Sequence, residues 1–309
     1  MARIARVKVE GGGAFYHVCA RIAGGKGKYP LDSKLCRRTI IDIIERFSKV
    51  YCCQVVGFCI MGNHYHLIIW FDERCPLSRE ELNRRASLIY PKTLLKGWLK
   101  ANWARFEERI FDVSEYMRNL QAAFARWFNQ TFGRRGRFWA DRFKSTLLET
   151  EKQVRDCLLY VELNPVRAGI AVRPEDHEGT SLHMRELGKD KWMMPLQELL
   201  GRKRRADALV EYRGMLYYRG AVPTKPGQAA IPARVLREEE ARGFKAEGVY
   251  RKRLRYFVDG IAIGSEAFVR REIERLREQG RYLRRKHPIS QLDGIHTSLR
   301  EQRGEAIAF

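Results

Sequence analysis

The sequence predicts an α+β fold on the split βαβ, ferredoxin-like plan: a four-stranded antiparallel sheet with its helices on one face, followed by a mainly helical C-terminal region. Three observations predict it. Strand-like segments recur at 14–22, 51–61, 64–71 and 143–148, helical spacing fills 35–50 and 114–131, and a last helix runs to Asn164-Pro165. The order is then β-α-β-β-α-β plus one helix.

Each element has a local cause. After Gly11–Gly13, Phe15, His17 and Cys19 alternate with Tyr16, Val18 and Ala20, the period of a strand. Leu31-Asp32-Ser33 supplies a helix cap, and Leu35, Ile40, Ile41, Ile44 and Phe47 then share one helical face. Residues 51–61 are rich in Val, Ile and aromatics, Gly62-Asn63 makes a hairpin turn, and His64–Phe71 returns. Residues 72–113 are polar, Arg-rich and partly helical, and read as an insertion. Ser114 opens a helix carrying Leu120, Phe124, Trp127 and Phe128. A basic turn, Gly133-Arg-Arg-Gly-Arg-Phe-Trp, precedes the strand at 143–148. Glu149-Thr150-Glu151 begins the helix that ends before Pro165.

Composition narrows the function. The 309 residues carry 59 Lys plus Arg against 37 Asp plus Glu, a net charge of +22. A 45% hydrophobic share is too high for a disordered polybasic tail. No apolar run approaches the roughly 18 residues of a membrane span, and no secretory leader is visible. Seven cysteines, an odd count without a CxxC pair, read as reduced thiols, so a cytoplasmic location is expected. Such a positive charge points to a polyanionic partner or to a place within a larger assembly.

The texture changes near residue 200. Arg202-Lys-Arg-Arg is a charge run, and Ala221–Pro232 holds three prolines without periodicity. Three regions are therefore expected: residues 1–190 as the main domain with a helical insertion at 72–113, 191–232 as a basic, Pro-containing linker, and 233–309 as a helical basic region. Residues 201–309 contribute +11 of the net charge.

Two constellations can carry chemistry. In Asn63-His64-Tyr65-His66, period-two alternation puts His64 and His66 on one strand face about 7 Å apart. They are either a metal-ligating pair or hydrogen-bonded core histidines. In Tyr160-Val-Glu-Leu-Asn164-Pro165, four-residue spacing stacks Tyr160 and Asn164 on one helix face. These are either reactive groups or a core aromatic and a helix terminator. Taken together, His64, His66 and Asn164 offer two nitrogens and an amide oxygen to one divalent ion, Mg²⁺ or Mn²⁺, with a tyrosine hydroxyl one turn away.

Four ordered segments carry a resemblance. They are Gly12-Gly13-Ala-Phe-Tyr16-His-Val18, Met61-Gly-Asn63-His64-Tyr65-His66-Leu67, Arg134-Arg-Gly136-Arg-Phe138-Trp-Ala-Asp-Arg142-Phe143-Lys144, and Tyr160 followed by Asn164-Pro165-Val-Arg167-Ala-Gly169. Over about residues 8–175 the chain resembles the HUH single-tyrosine transposases, most closely the REP-associated branch. The resemblance implies an HUH-endonuclease domain, with His64 and His66 as metal ligands, Asn164 as the third ligand and Tyr160 as the nucleophile. It implies Mg²⁺ or Mn²⁺ without a nucleotide cofactor, and single-stranded and hairpin DNA as partners of a monomer or homodimer. Residues 72–113 and the C-terminal third exceed the family's minimal form. Arg255-Tyr-Phe-Val-Asp-Gly-Ile-Ala-Ile-Gly-Ser-Glu-Ala-Phe-Val resembles extensions of longer relatives.

The implied reaction is attack of Tyr160 on a scissile phosphate, leaving a 5′-phosphotyrosine and a free 3′-hydroxyl. Two rival readings are a non-catalytic hairpin-binding regulator and a nuclease that activates water. Arg134, Arg135, Arg137, Arg142, Lys144 and Arg167 are expected at the DNA backbone, with Phe138 and Trp139 against unstacked bases. The alternative for that run is a solvated basic turn whose aromatics belong to the core.

Overall fold

A computed structural model describes residues 9, 13–24, 27, 29–243, 260–280, 287–290 and 295–299. Most of the basic lead and all of the 244–259 stretch, including Arg255–Asp259, lie outside the described residues. In chain order the elements are β1 (Ala14–Arg21), α1 (Lys34–Val50), β2 (Cys53–Met61), β3 (His64–Phe71), α2 (Arg79–Ala86), α3 (Lys92–Lys96), α4 (Lys100–Arg109) and α5 (Val113–Thr131). Then come β4 (Lys144–Leu148), α6 (Glu151–Glu162), α7 (Asn164–Arg167), α8 (Ser181–Glu186), α9 (Leu196–Leu199), α10 (Arg205–Ala221) and α11 (Ala233–Glu240). The last are β5 (Gly260–Gly264), α12 (Glu266–Glu278), β6 (Ile289–Ser290) and β7 (His296–Leu299).

The first four strands pair antiparallel in the order β2-β3-β1-β4, as the split βαβ pattern requires. The sheet does not stop at four strands. It continues through β5, β7 and β6, with β5 parallel to β4, to make seven. The C-terminal region expected at 233–309 carries helices α11 and α12, and its described part also pairs three unexpected strands into the same sheet. Gly260-Ile-Ala-Ile-Gly264, within the stretch expected to be helical, is a buried strand.

Helices cover both faces, not one. On one face Tyr16, Val18 and Ala20 of β1 and Tyr65, Leu67 and Ile69 of β3 pack with α1 and α5. On the other, Val56, Cys59 and Met61 of β2 and Ile68 of β3 pack with α6 and α10. Strands apolar on both faces need cover on both. A bulge between Val55 and Gly57 lets Val56 and Gly57 both face α6. Glycine at 57 is required by that approach, since a Cβ there would lie 2.3 Å from Leu158 Cδ1.

The linker expected at 191–232 is also corrected. Its α10 is a 17-residue helix that buries Tyr212, Leu216 and Tyr217 against α6. The insertion at 72–113 is helical, as its composition suggests, and is built into the core through Leu82, Leu95, Trp103 and Phe106. Arg85 donates from Nη1 to the carbonyls of Val50 (3.2 Å) and Tyr51 (2.8 Å), capping the end of α1.

Helix α6 starts at a capping box, with Thr150 Oγ1 accepting from the Gln153 amide and Gln153 Oε1 accepting from the Thr150 amide. It is then held by buried charge. Arg219 Nη1 of α10 donates to Asp156 Oδ1 at 3.0 Å, with both side chains buried. Replacing Arg219 with Met leaves the Asp156 carboxylate buried and unpaired, so Arg219→Met should cost about 3–5 kcal/mol in chemical denaturation. A loss below about 1 kcal/mol would contradict this anchoring.

Candidate active site

The candidate histidines and Tyr160 gather on the α6 face of the sheet. Because β3 alternates, His64 and His66 share that face while Tyr65 turns into the opposite core, where its ring meets Trp139. The antiparallel register then brings β1 alongside. Arg21 is the cross-strand partner of His64, and Cys19 is the partner of both His66 and Lys144. Phe15, His17, Cys19 and Arg21 thus line the same face, as does Lys144 of β4.

The ring centroids of His64 and His66 lie 5.1 Å apart with planes at 86°. Tyr160, on α6, approaches edge-on, 5.8 Å from His66 and 6.3 Å from His17. His17 Nε2 is 3.0 Å from His66 Nδ1. His64 Nδ1 is 2.7 Å from Asn63 Oδ1. The amide oxygen can only accept, so His64 carries its proton on Nδ1 and presents an Nε2 lone pair. Burial, aided by the Arg21 charge, lowers the His64 pKa to about 4. Burial and the neighbouring His17 and His64 lower His66 well below the usual range. Both imidazoles are therefore neutral at pH 7, the state that binds a metal ion.

Asn164 begins α7 directly after α6. Its Nδ2 donates to the carbonyls of Tyr160 (3.0 Å) and Val161 (3.1 Å), so it caps the end of α6 and keeps Oδ1 as its acceptor atom. Pro165 does not end the helical path at this point: it occupies the first turn of α7, where its missing N–H has no cost. Among the described residues, no group of three or more His, Cys, Asp and Glu is arranged to hold a metal ion. Two neutral imidazoles and an amide oxygen are nonetheless a chemically suitable donor set for Mg²⁺ or Mn²⁺.

The basic segment divides. Arg134, Arg135, Arg137, Arg142 and Lys144 are exposed. Phe138 is buried against Phe124, Phe128 and Trp139. Half-buried Trp139 donates from Nε1 to the Gln121 carbonyl at 2.8 Å. Both aromatics staple the turn to α5, and buried Phe138 belongs to the core. Arg167 is corrected as well. Its Nη2 donates to the Arg219 carbonyl at 2.6 Å and its Nη1 to the Gly220 carbonyl at 3.2 Å, tying α7 to α10. Arg21 and His17 were not singled out from sequence. The signal that finds them is the β1 register, once His64 and His66 are placed.

The His64 environment gives a pH prediction. Its folded pKa lies below the unfolded value of about 6.5, so between pH 6.5 and 4 the unfolded chain binds more protons. The stability tied to this group is complete above that window and falls as the pH drops through it. An NMR titration of His64 in metal-free protein should give a midpoint of about 4; a midpoint near 6.5 would contradict the burial described.

Comparison with known proteins adds little. No family model and no curated protein matches the chain. A solved structure, described as a REP-associated tyrosine transposase bound to a REP hairpin, is similar over 60% of this chain and 86% of that one, at 15% identity and a TM-score of 0.40. A likeness of that size fixes neither fold nor activity.

Proposed function

We propose that the chain is a single-stranded DNA endonuclease and strand transferase that cleaves beside hairpin structures through a covalent 5′-phosphotyrosine. The observation that carries this reading is the convergence of His64, His66 and Tyr160 on one sheet face, flanked by the exposed cations Arg21 and Lys144. His64, His66 and Asn164 would hold the divalent ion, which supplies polarisation of a phosphoryl oxygen when bound.

The chain's own residues do the rest. Arg21 and Lys144 attract the scissile phosphate to the histidine face. The Tyr160 oxygen forms the new P–O bond and gives up its proton, while the 3′ oxygen leaves with its electron pair and gains one. One phosphodiester replaces another, so no ATP is consumed and the step reverses onto a new 3′ end. The exposed Arg134, Arg135, Arg137 and Arg142 extend the positive surface for the hairpin backbone. Glu162 is no candidate base, because it is buried on the far side of α6, bonded by Ser181 and by Tyr212 at 2.5 Å.

Incubating the protein with labelled hairpin DNA and Mn²⁺, then running a denaturing gel, tests the reading. Wild type should give a protein–DNA adduct. Tyr160→Phe should give none while keeping hairpin affinity within about twofold, because the hydroxyl is a negligible part of a phosphate-driven interface. His64→Ala and His66→Ala should likewise bind without cleaving. Cleavage without an adduct would favour a water-activating nuclease, and binding without any cleavage a regulator. Phosphate contact by Arg21 predicts that Arg21→Ala lowers the slope of log affinity against log salt by about one. Arg167→Ala should leave that slope unchanged.

A further inference from the structure

We propose that His17 is the positioning residue for His66: it accepts the His66 Nδ1–H and so keeps Nε2 of His66 unprotonated as the ligating nitrogen. The proposal rests on the reading of His64 and His66 as metal ligands, and it gives a role to a histidine that the reaction itself does not use.

The geometry supplies the reasons. His17 and His66 are both buried, at 1% and 2% exposure, and their facing nitrogens are 3.0 Å apart. Their ring centroids lie 5.2 Å apart with planes differing by 15°. With the facing nitrogens 3.0 Å apart, the two nitrogens lie close to the line of centres, so the rings meet edge to edge at hydrogen-bond length. One proton serves the two facing nitrogens, and it sits on one of them. If His17 donated, His66 would be protonated on Nε2, and neither of its nitrogens could ligate an ion. If His66 donates, Nε2 keeps its lone pair.

The neighbouring histidine uses the second arrangement. Asn63 Oδ1 fixes the proton of His64 on Nδ1, so His64 presents Nε2. Donation from His66 to His17 gives both imidazoles the same polarity, each held through Nδ1 and each offering Nε2. Orientation of a metal-binding imidazole through its other nitrogen changes metal affinity by about 10–100-fold when the partner is lost. The partner here comes from β1, two residues along from the cross-strand neighbour of His66, so the sheet register delivers it.

Two measurements on the full chain test this, neither of them catalytic activity. Long-range ¹H–¹⁵N correlation spectra of the metal-free protein report which ring nitrogen of His66 carries the proton. The expected result is Nδ1–H in wild type; Nε2–H would overturn the proposal whether or not the site binds metal. Calorimetric titration with Mn²⁺ alone, without DNA, supplies the second readout. His66→Ala should abolish binding, which tests the underlying metal reading. His17→Phe should weaken binding by about 10–100-fold, and His17→Gln, whose side-chain oxygen reaches the position of Nε2, should restore it to within about threefold. Wild-type Mn²⁺ affinity in a folded His17→Phe variant, with His66→Ala still inactive in binding, would refute the role of His17 and leave the metal site standing. Should His17→Phe fail to fold, the wild-type spectrum and the Gln variant still decide.

Discussion

The antiparallel pairing of β1 with β3 is the constraint on which the site depends. Period-two alternation alone puts His64 and His66 on a common face, but it does not say which face or what lies beside them. The register, with Arg21 opposite His64 and Cys19 opposite His66, brings a cation and a third imidazole to the pair. A slip of one residue would drive both histidines into the core beneath α1 and α5 and turn Tyr65 and Leu67 onto the α6 face. The apolar content of both layers opposes such a slip, so core packing and site geometry are set by one choice of register.

The second requirement is that α6 lie over this face closely enough for Tyr160 to meet the histidines. Small size at Gly57 allows the approach, and the buried polar groups of α6 fix it. Burial pushes the Glu162 carboxyl up from its ordinary value, and the hydrogen bonds from Ser181 and Tyr212 partly offset that shift. Asp156 pairs with Arg219 one and a half turns earlier on the helix. Both sets of partners come from α8 and α10. The segment between residues 181 and 221 thus belongs to the structure that holds the helix of Tyr160, and its basic composition disguises that role.

Much of the first 165 residues was legible because local patterns and tertiary placement agree there. The strands at 14–21, 53–61 and 64–71 follow from alternation and β-branched content, and α1, α5 and α6 from helical spacing and caps. The second helical layer was foreshadowed by β2 and β3, whose apolar residues fall on both faces, a sign that both are covered. Strands β5 to β7 were not legible. They are short, one is bounded by glycines, and β5 pairs with β4 more than a hundred residues earlier and with β7 across α12. The aromatics Phe138 and Trp139 illustrate a different limit: composition offers them equally to bases and to the core, and only α5 decides. Tyr160 and the two histidines were legible as motifs, whereas His17 and Arg21 become visible only through the strand that carries them.

The central claim is that Tyr160 is the group that attacks a phosphate held at the His64–His66 face. Mass spectrometry of the adduct trapped from wild-type protein, hairpin DNA and Mn²⁺ tests it most directly. Digestion after arginine releases Asp156–Arg167, in which Tyr160 is the single tyrosine. The account predicts the nucleotide on that residue. A nucleotide on any other side chain would contradict it.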